Sequence, residues 1–411
     1  MRRNMIWAAP LVALALVAAG CGGDGDGDGG SAGSDDLEGL ELQVMGWSSS
    51  AAEDEALTAL IDQFNQETGA VASFNPVPEY DTTLQAALSG GSPPDVFYVD
   101  SYRLPDLADA SILQPVPDGT LSSPDDIYPS LREAFTYDGT WYCPPKDFST
   151  LALVYDVAAF QEAGLEPPTT WEQLRDAAEA LTTDDRAGLV MGVEYPRWAV
   201  FLFQAGTALT DDGVSTATID SPQARDALEF VAGMYRDGLA QSPTQLDAGW
   251  AGEAFGQGKA AMTIEGNWIV GALAQDFPDR EYAVAELPVG PAGPGTFAFT
   301  VCYGVAANAP NPDASWELVE YLTSAEGAEA WTRDFPVMPA RASARDTWLS
   351  ERPELQAFLA GADYAHKWQF RPGFADVVGV FNEQAQAIVA GDGTVDELIE
   401  STAAAARDVL G

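Results

Sequence analysis

The apolar positions of this chain change period repeatedly, and each change predicts an element. Leu40 to Gly46 is a short mixed apolar stretch that reads as a first strand. Ser50-Ala51-Ala52-Glu53 then has the form of a capping box, and Leu57, Leu60, Ile61 and Phe64 follow at helical spacing up to Gly69. Val71 to Val77 returns to an extended pattern closed by Pro76 and Pro78, and Thr82 to Leu88 is helical up to Gly90-Gly91. Asp95-Val96-Phe97-Tyr98-Val99-Asp100 is a nearly continuous apolar run, the kind a parallel sheet buries on both faces. Strand, helix, strand, helix, strand is the signal of an α/β fold.

The alternation then restarts. Ser149 to Tyr155 reads as a strand, Asp156 as the cap of a short helix, and Thr170-Trp171-Glu172-Gln173 as a second capping-box start. Ser221-Pro222 is an N-cap followed by proline at the first helical position, and its helix ends near Gly238. Ala260 to Ile264 reads as a buried strand that Gly266-Asn267-Trp268 turns into a helix. Strands at Tyr282 to Leu287 and Phe297 to Ala306 precede a helix opened by Pro312-Asp313-Ala314, and two helices, Val377 to Ala390 and Val395 to Val409, close the chain. No short internal repeat is present. At 411 residues, one compact core is too little for the chain, and two α/β lobes fit both the length and the restart.

The N-terminus departs from this pattern. Arg2 and Arg3 precede an apolar run from Met5 to Ala19, short for a membrane span and suited to a secretory signal. It ends in Val17-Ala18-Ala19-Gly20-Cys21, which resembles a bacterial lipobox, so Cys21 is expected to be the lipidated first residue of the mature chain. The Gly- and Asp-rich stretch up to Asp36 reads as a flexible tether. Asp24, Asp26, Asp28, Gly29 and Asp35 imitate a calcium loop, but no helical pattern flanks them, and no metal site is expected.

Composition narrows the chemistry. Acidic residues outnumber basic ones 63 to 19, for a formal charge of -44, a field that repels phosphate backbones and argues against nucleic acid. A salty habitat or compositional bias also accounts for that acidity. One histidine, His366, and three cysteines leave little room for zinc or histidine-based catalysis. No P-loop, G-x-S-x-G or H-E-x-x-H occurs, and no cofactor is expected.

Several segments, in order along the chain, carry a family likeness. They are Gly90-Gly91-Ser92-Pro93-Pro94-Asp95-Val96; Lys146-Asp147-Phe148-Ser149-Thr150 with its continuation to Asp156; Ala163-Gly164-Leu165 with Pro168 to Leu174; Phe255 to Met262 with Gly266-Asn267-Trp268; and Ala314 to Ser324. Together they resemble the family 1 extracellular solute-binding proteins of ABC importers, the group that contains the maltose- and maltodextrin-binding proteins. The resemblance implies a two-lobe, periplasmic-binding-protein-like α/β fold with a multi-crossing hinge (type II). The expected division is a signal peptide at 1–20, a tether at 21–36, lobe one at 37–146 plus 301–335, and lobe two at 147–300 plus 336–411. Hinge crossings are expected near 144–150, near 300–303 and after 335–339. The implied function is capture of a carbohydrate, a di- or oligosaccharide, for delivery to an ABC permease by a monomer anchored outside the membrane. A polyamine or phosphate ester in the same fold, or a lipid-anchored glycoside-processing enzyme, stays open as an alternative; the leading reading is not an enzyme.

A sugar site needs flat rings for apolar sugar faces and charged or amide groups for the hydroxyl rim. Position in the implied fold selects Trp47 and Ser48 after the first strand, Tyr80 after the second and Asp100 after the third. Lys146 and Asp147 border the first crossing, and an interlobe ion pair is the rival role for Lys146. Glu53 and Asp100 have plain capping as their rival roles. Tyr195 and Trp198 lie in what reads as an aromatic, charged loop before a helix, Glu194 to Trp198. Glu265, Asn267 and Trp268 sit where a strand meets a helix, Tyr303 borders the second crossing, and Arg371 lies in the late Trp368 to Pro372 segment. Cys143 and Cys302 fall at crossings that the family fold brings side by side, which implies a disulfide, with two buried thiols as the alternative.

Overall fold

The computed structural model describes residues 37–211, 213–368 and 370–411. The signal segment, Cys21, the acidic tether and its calcium-like pattern lie outside the described residues.

The strands are β1 (Glu41–Gly46), β2 (Val71–Pro76), β3 (Val96–Asp100), β4 (Thr136–Tyr137), β5 (Thr140–Trp141), β6 (Pro145–Asp156), β7 (Ala187–Val190), β8 (Ala240–Gln241), β9 (Ala260–Gly266), β10 (Tyr282–Ala285), β11 (Thr296–Val305), β12 (Met338–Pro339) and β13 (Ala365–Lys367). Among the described residues, β4 and β5 form a separate hairpin and the others join one sheet in the order β2-β1-β3-β11-β6-β9-β7-β8, with β10 and β12 on β6 and β13 on β11. β1 is parallel to β2 and to β3, and β7 is parallel to β8 and to β9. Each end of the sheet is thus built of parallel strands with helices between them, as the alternating pattern predicts.

The middle is antiparallel. β6 pairs with β11 from Asp147↔Val301 to Thr150↔Ala298, then with β9 from Leu151↔Gly266 to Tyr155↔Met262. β12 pairs with β6 at Asp147 and Phe148. Three passes of the chain therefore lie side by side in one strip. Cys143 and Cys302 are bonded next to it, with Cα atoms 5.7 Å apart, so the pair is a disulfide and not two thiols.

Each end has its own core. At one end, Leu42, Val44, Leu57, Phe64, Tyr98 and Trp331 are buried together. At the other, Leu153, Trp198, Leu228, Ile264 and Phe381 are. The helix Ala51–Thr68 buries Ala56, Leu57, Leu60, Ile61 and Phe64, the stripe its spacing predicts. Its cap is half of a capping box. Ser50 accepts from the Glu53 N–H, but the Glu53 carboxylate turns to Ser49 and Lys146 instead. Asp156, Thr170 and Ser221 each accept from the third residue of the helix they open.

The structure corrects one element. Glu194 to Trp198 is not a loop before a helix; Tyr195–Gln204 is the helix itself, with Glu194 as its N-cap and a proline in its first turn. Short helices at Leu104–Asp109 and Pro129–Ala134 were not foreseen, being too brief to show a period.

Candidate functional site

A groove of about 1220 Å³ lies on the outer face of the helices Ala51–Thr68, Pro312–Thr323 and Ala325–Asp334, away from the strand ends where α/β sheets place ligands. A smaller cavity of about 280 Å³ sits at those ends. Trp47 follows β1 and Asp100 ends β3 on one side, while Trp268 follows β9 on the other, and all three line it. The floor is the three-strand strip, through Lys146, Asp147, Ser149, Thr300 and Val301.

Five aromatic rings contribute: Trp47, Trp268, Phe299, Phe335 and Trp368. Trp268 meets Phe299 edge-on at 5.5 Å, and Phe299 meets Trp368 edge-on at 5.5 Å. Gly266 makes this possible, since a Cβ there would lie 2.2 Å from the Trp268 ring and 2.6 Å from Ser149 Oγ.

Two cations line the cavity, each already paired. Lys146 Nζ lies 3.2 Å from Glu53 Oε1 and 2.7 Å from Asp147 Oδ2. It also sits over the rings of Tyr98 and Trp331, at 4.9 and 4.3 Å. Burial alone would make it less basic, but the two carboxylates outweigh burial and hold its pKa above the ordinary lysine value. Burial pushes Asp147 up, against Lys146 and a hydrogen bond from Trp331 Nε1 at 2.9 Å. Across the cavity, Arg197 donates to Glu265 Oε2 at 2.7 Å, with its Nε 3.2 Å from Glu194 Oε1. Glu265 also accepts from Trp268 Nε1 at 3.0 Å, so one buried carboxylate orients a guanidinium and an indole together. Burial pushes Glu194 up, with Glu265 adding to it and Arg197 opposing.

Asp100 differs from these. Its Oδ1 is buried without a hydrogen-bonding partner among the described residues. Burial, reinforced by Asp81 and opposed by the N–H groups of Tyr102 and Ser101, pushes its pKa up to about 7.

Of the positions chosen from sequence, the structure brings Trp47, Asp100, Lys146, Asp147 and Trp268 to the cavity. Glu265 stands behind Arg197 and Trp268, where it positions both. Tyr80 lines an adjoining chamber, its hydroxyl donating to the Tyr98 carbonyl. The others lie elsewhere. Ser48 points to the Ser50 carbonyl, and its neighbour Ser49 lines the cavity instead. Tyr195 and Trp198 are in the core because they sit on the inner face of a helix, Trp198 stacked on Tyr235; Arg197, between them, faces the cavity. Asn267 is buried below the turn, its N–H donating to Ser149 Oγ. Tyr303 is buried edge-on to Tyr98, past the register shift between Val301 and Cys302 that breaks the regular alternation of β11. Arg371 is exposed, and Trp368 of the same segment takes the cavity position. Sequence reasoning did not select Ser149, Arg197, Phe299, Thr300 or Trp368. Every residue of Tyr195–Gln204 but Arg197 is buried, so no amphipathic stripe marks this helix; the proline in its first turn is the sequence signal that was available.

Comparison with known proteins agrees with this geometry. A protein named only as a candidate binding protein, from Brucella abortus (strain 2308), is 27% identical over 365 residues, 84% of this chain and 87% of its own. A maltotriose-binding protein of Pyrococcus abyssi is 24% identical over 264 residues, 61% of this chain and 55% of its own. Among solved structures, the GacH receptor of Streptomyces glaucescens, studied unliganded and with acarbose, superposes with a TM-score of 0.81 at 26% identity, covering 90% of this chain and 99% of its own. The family model described as bacterial extracellular solute-binding protein matches residues 59–357. The chain belongs to the bacterial extracellular solute-binding proteins.

Proposed function

We propose that this protein captures a carbohydrate, a di- or oligosaccharide, between two hinged lobes and releases it unaltered to an ABC importer. The observation that carries this reading is the cavity itself. Five aromatic rings stand among oriented carboxylate, ammonium and guanidinium groups, at strand ends contributed by both ends of the sheet. Rings cover the apolar faces of a sugar, and paired charges held rigid by buried partners accept and donate to its hydroxyl rim at little entropic cost. The relatives named for maltotriose and studied with acarbose support the same ligand class.

Division into lobes at 37–146 plus 301–335 and 147–300 plus 336–411 accords with the strip where β6, β11 and β12 run together, which serves as the hinge. A ligand touching both walls favours the closed form by its differential affinity. Lipid attachment at Cys21 would hold a monomer at the outer membrane face, with the acidic tether as spacer. Calorimetry over a panel of neutral mono-, di- and oligosaccharides, with the products analysed by chromatography, tests the reading. Saturable binding without cleavage is expected. Absence of binding across the panel, or appearance of hydrolysis products, overturns it.

A further inference from the structure

The central cavity does not end at Asp100. Trp47 and Asp100 also line a second chamber of about 440 Å³, set against the first turn of the helix Tyr80–Ser89. Its walls carry four rings, those of Trp47, Tyr80, Tyr98 and Tyr102. Trp47 meets Tyr80 edge-on at 5.2 Å and Tyr98 at 5.0 Å, and Tyr102 stacks on Trp368 at 4.4 Å. Three carboxylates join them, from Glu79, Asp81 and Asp100. Arg103 is the one basic side chain lining it among the described residues, and it stands 4.0 Å from Asp81.

The electrostatic balance is negative. The helix N-terminus supplies about half a positive charge and Arg103 one more, against three carboxylates. Glu79 is moreover held in left-handed backbone, φ 49°, where a non-glycine residue pays a conformational cost. Asp100 Oδ1, buried and without a partner, is a charge acceptor left open between the two chambers. A chamber of rings whose carboxylates outnumber its one basic side chain, with Asp100 Oδ1 unpartnered, suits an ammonium group, which the ring faces attract and the carboxylates neutralise. A neutral hydroxyl would satisfy one lone pair of Asp100 and leave the charge.

We propose that this side chamber takes the basic amine of an amino-substituted carbohydrate, with Asp100 and Asp81 as its counter-ions and Trp47 and Tyr80 as ring walls, while the neutral remainder of the ligand occupies the central cavity. The proposal rests on the carbohydrate reading of that cavity. The charged and titratable groups around Asp100 are Glu79, Asp81, Arg103, Tyr80, Tyr98 and Tyr102 in the chamber and, in the central cavity, Lys146, held by Glu53 and Asp147, and Arg197, held by Glu265. The tyrosines stay neutral, as burial pushes the hydroxyls of Tyr80, Tyr98 and Tyr102 upward. An arriving ammonium favours the ionised form of Asp100, so binding releases protons below neutral pH.

The test compares a disaccharide with a single free amine, glucosamine β-1,4-linked to glucose, with its N-acetylated form by calorimetry at pH 6.5, on the whole mature chain and on Asp100→Asn. The free-amine sugar is expected to bind at least about tenfold tighter, with proton release visible as a dependence of the heat on buffer ionisation enthalpy. In Asp100→Asn the ratio of the two affinities should fall to near one, with a melting temperature showing that the variant is folded. Equal affinities in the unaltered chain, a ratio that survives Asp100→Asn, or no binding of either disaccharide overturns the proposal. The neutral-sugar panel separates that outcome from failure of the carbohydrate reading, since neutral binding with no preference for the amine leaves the latter standing.

Discussion

Lys146 is 5% exposed and shares its ammonium between two carboxylates that are themselves buried. Removing one member of such a set leaves uncompensated charge, which costs about 3–5 kcal/mol. Lys146→Met should therefore lower the melting temperature sharply at pH 8. Asp147, already pushed up by burial, would then take up a proton more readily in the folded chain than in the unfolded one, so the loss should be smaller at pH 5. Asp100 already behaves in that direction. Its folded pKa, about 7, lies above the unfolded value, so its contribution to stability is greatest at low pH and declines as pH rises from about 4 through 7. Melting curves of Asp100→Asn should thus show a gain over the unaltered chain that is larger at pH 8 than at pH 4.5. On the proposed function, Trp268→Ala removes a ring held by Glu265 and should weaken sugar binding by about 2 kcal/mol, roughly thirtyfold, as calorimetry would read.

Among the elements, those with a long period or a clear cap were legible. The helix Ala51–Thr68, the buried β3 and the caps at Asp156, Thr170 and Ser221 follow from apolar spacing and from side chains that compete for free N–H groups. Legibility failed where tertiary contact decides. Pro196 and the crowded aromatics of Tyr195–Gln204 look like a loop in isolation, yet burial of Tyr195 and Trp198 makes them a helix and aims Arg197 outward. The cavity residues at strand ends were legible, Trp47 and Asp100 from their place after strands of an α/β fold and Trp268 because the family resemblance puts its turn at the cleft. Phe299 and Trp368 were not, since the face that a strand or loop residue shows depends on register, which sequence leaves open. The turn at Gly266 offers a sharp check. Gly266→Ala puts a methyl group into the space of the Trp268 ring and Ser149 Oγ, so the indole must leave its position. Sugar affinity should fall with the variant still folded; unchanged affinity would show that Trp268 does not contact the ligand.

For the whole molecule, closure and the disulfide make separable claims. If a carbohydrate bridges the two walls, solution X-ray scattering should show a smaller radius of gyration on saturation, and none in Trp268→Ala at the same sugar concentration. The Cys143–Cys302 bond closes a long loop, with a sequence separation of 159 residues. Replacing both cysteines by alanine should cost about 2–5 kcal/mol of stability, by denaturant titration.

The strip where β6 exchanges β11 for β9 has a mechanical meaning. Its amides are tied strand to strand without interruption from Asp147 to Tyr155. Any swing between the two ends must then be accommodated as torsion of an intact ribbon, not as flexing of an unpaired linker. Deuterium uptake at these amides should stay slow in both the empty and the filled protein, while neighbouring loops respond to the guest. Such a ribbon returns elastically once the cargo departs, which would let each delivery reset the receptor with no energy source of its own.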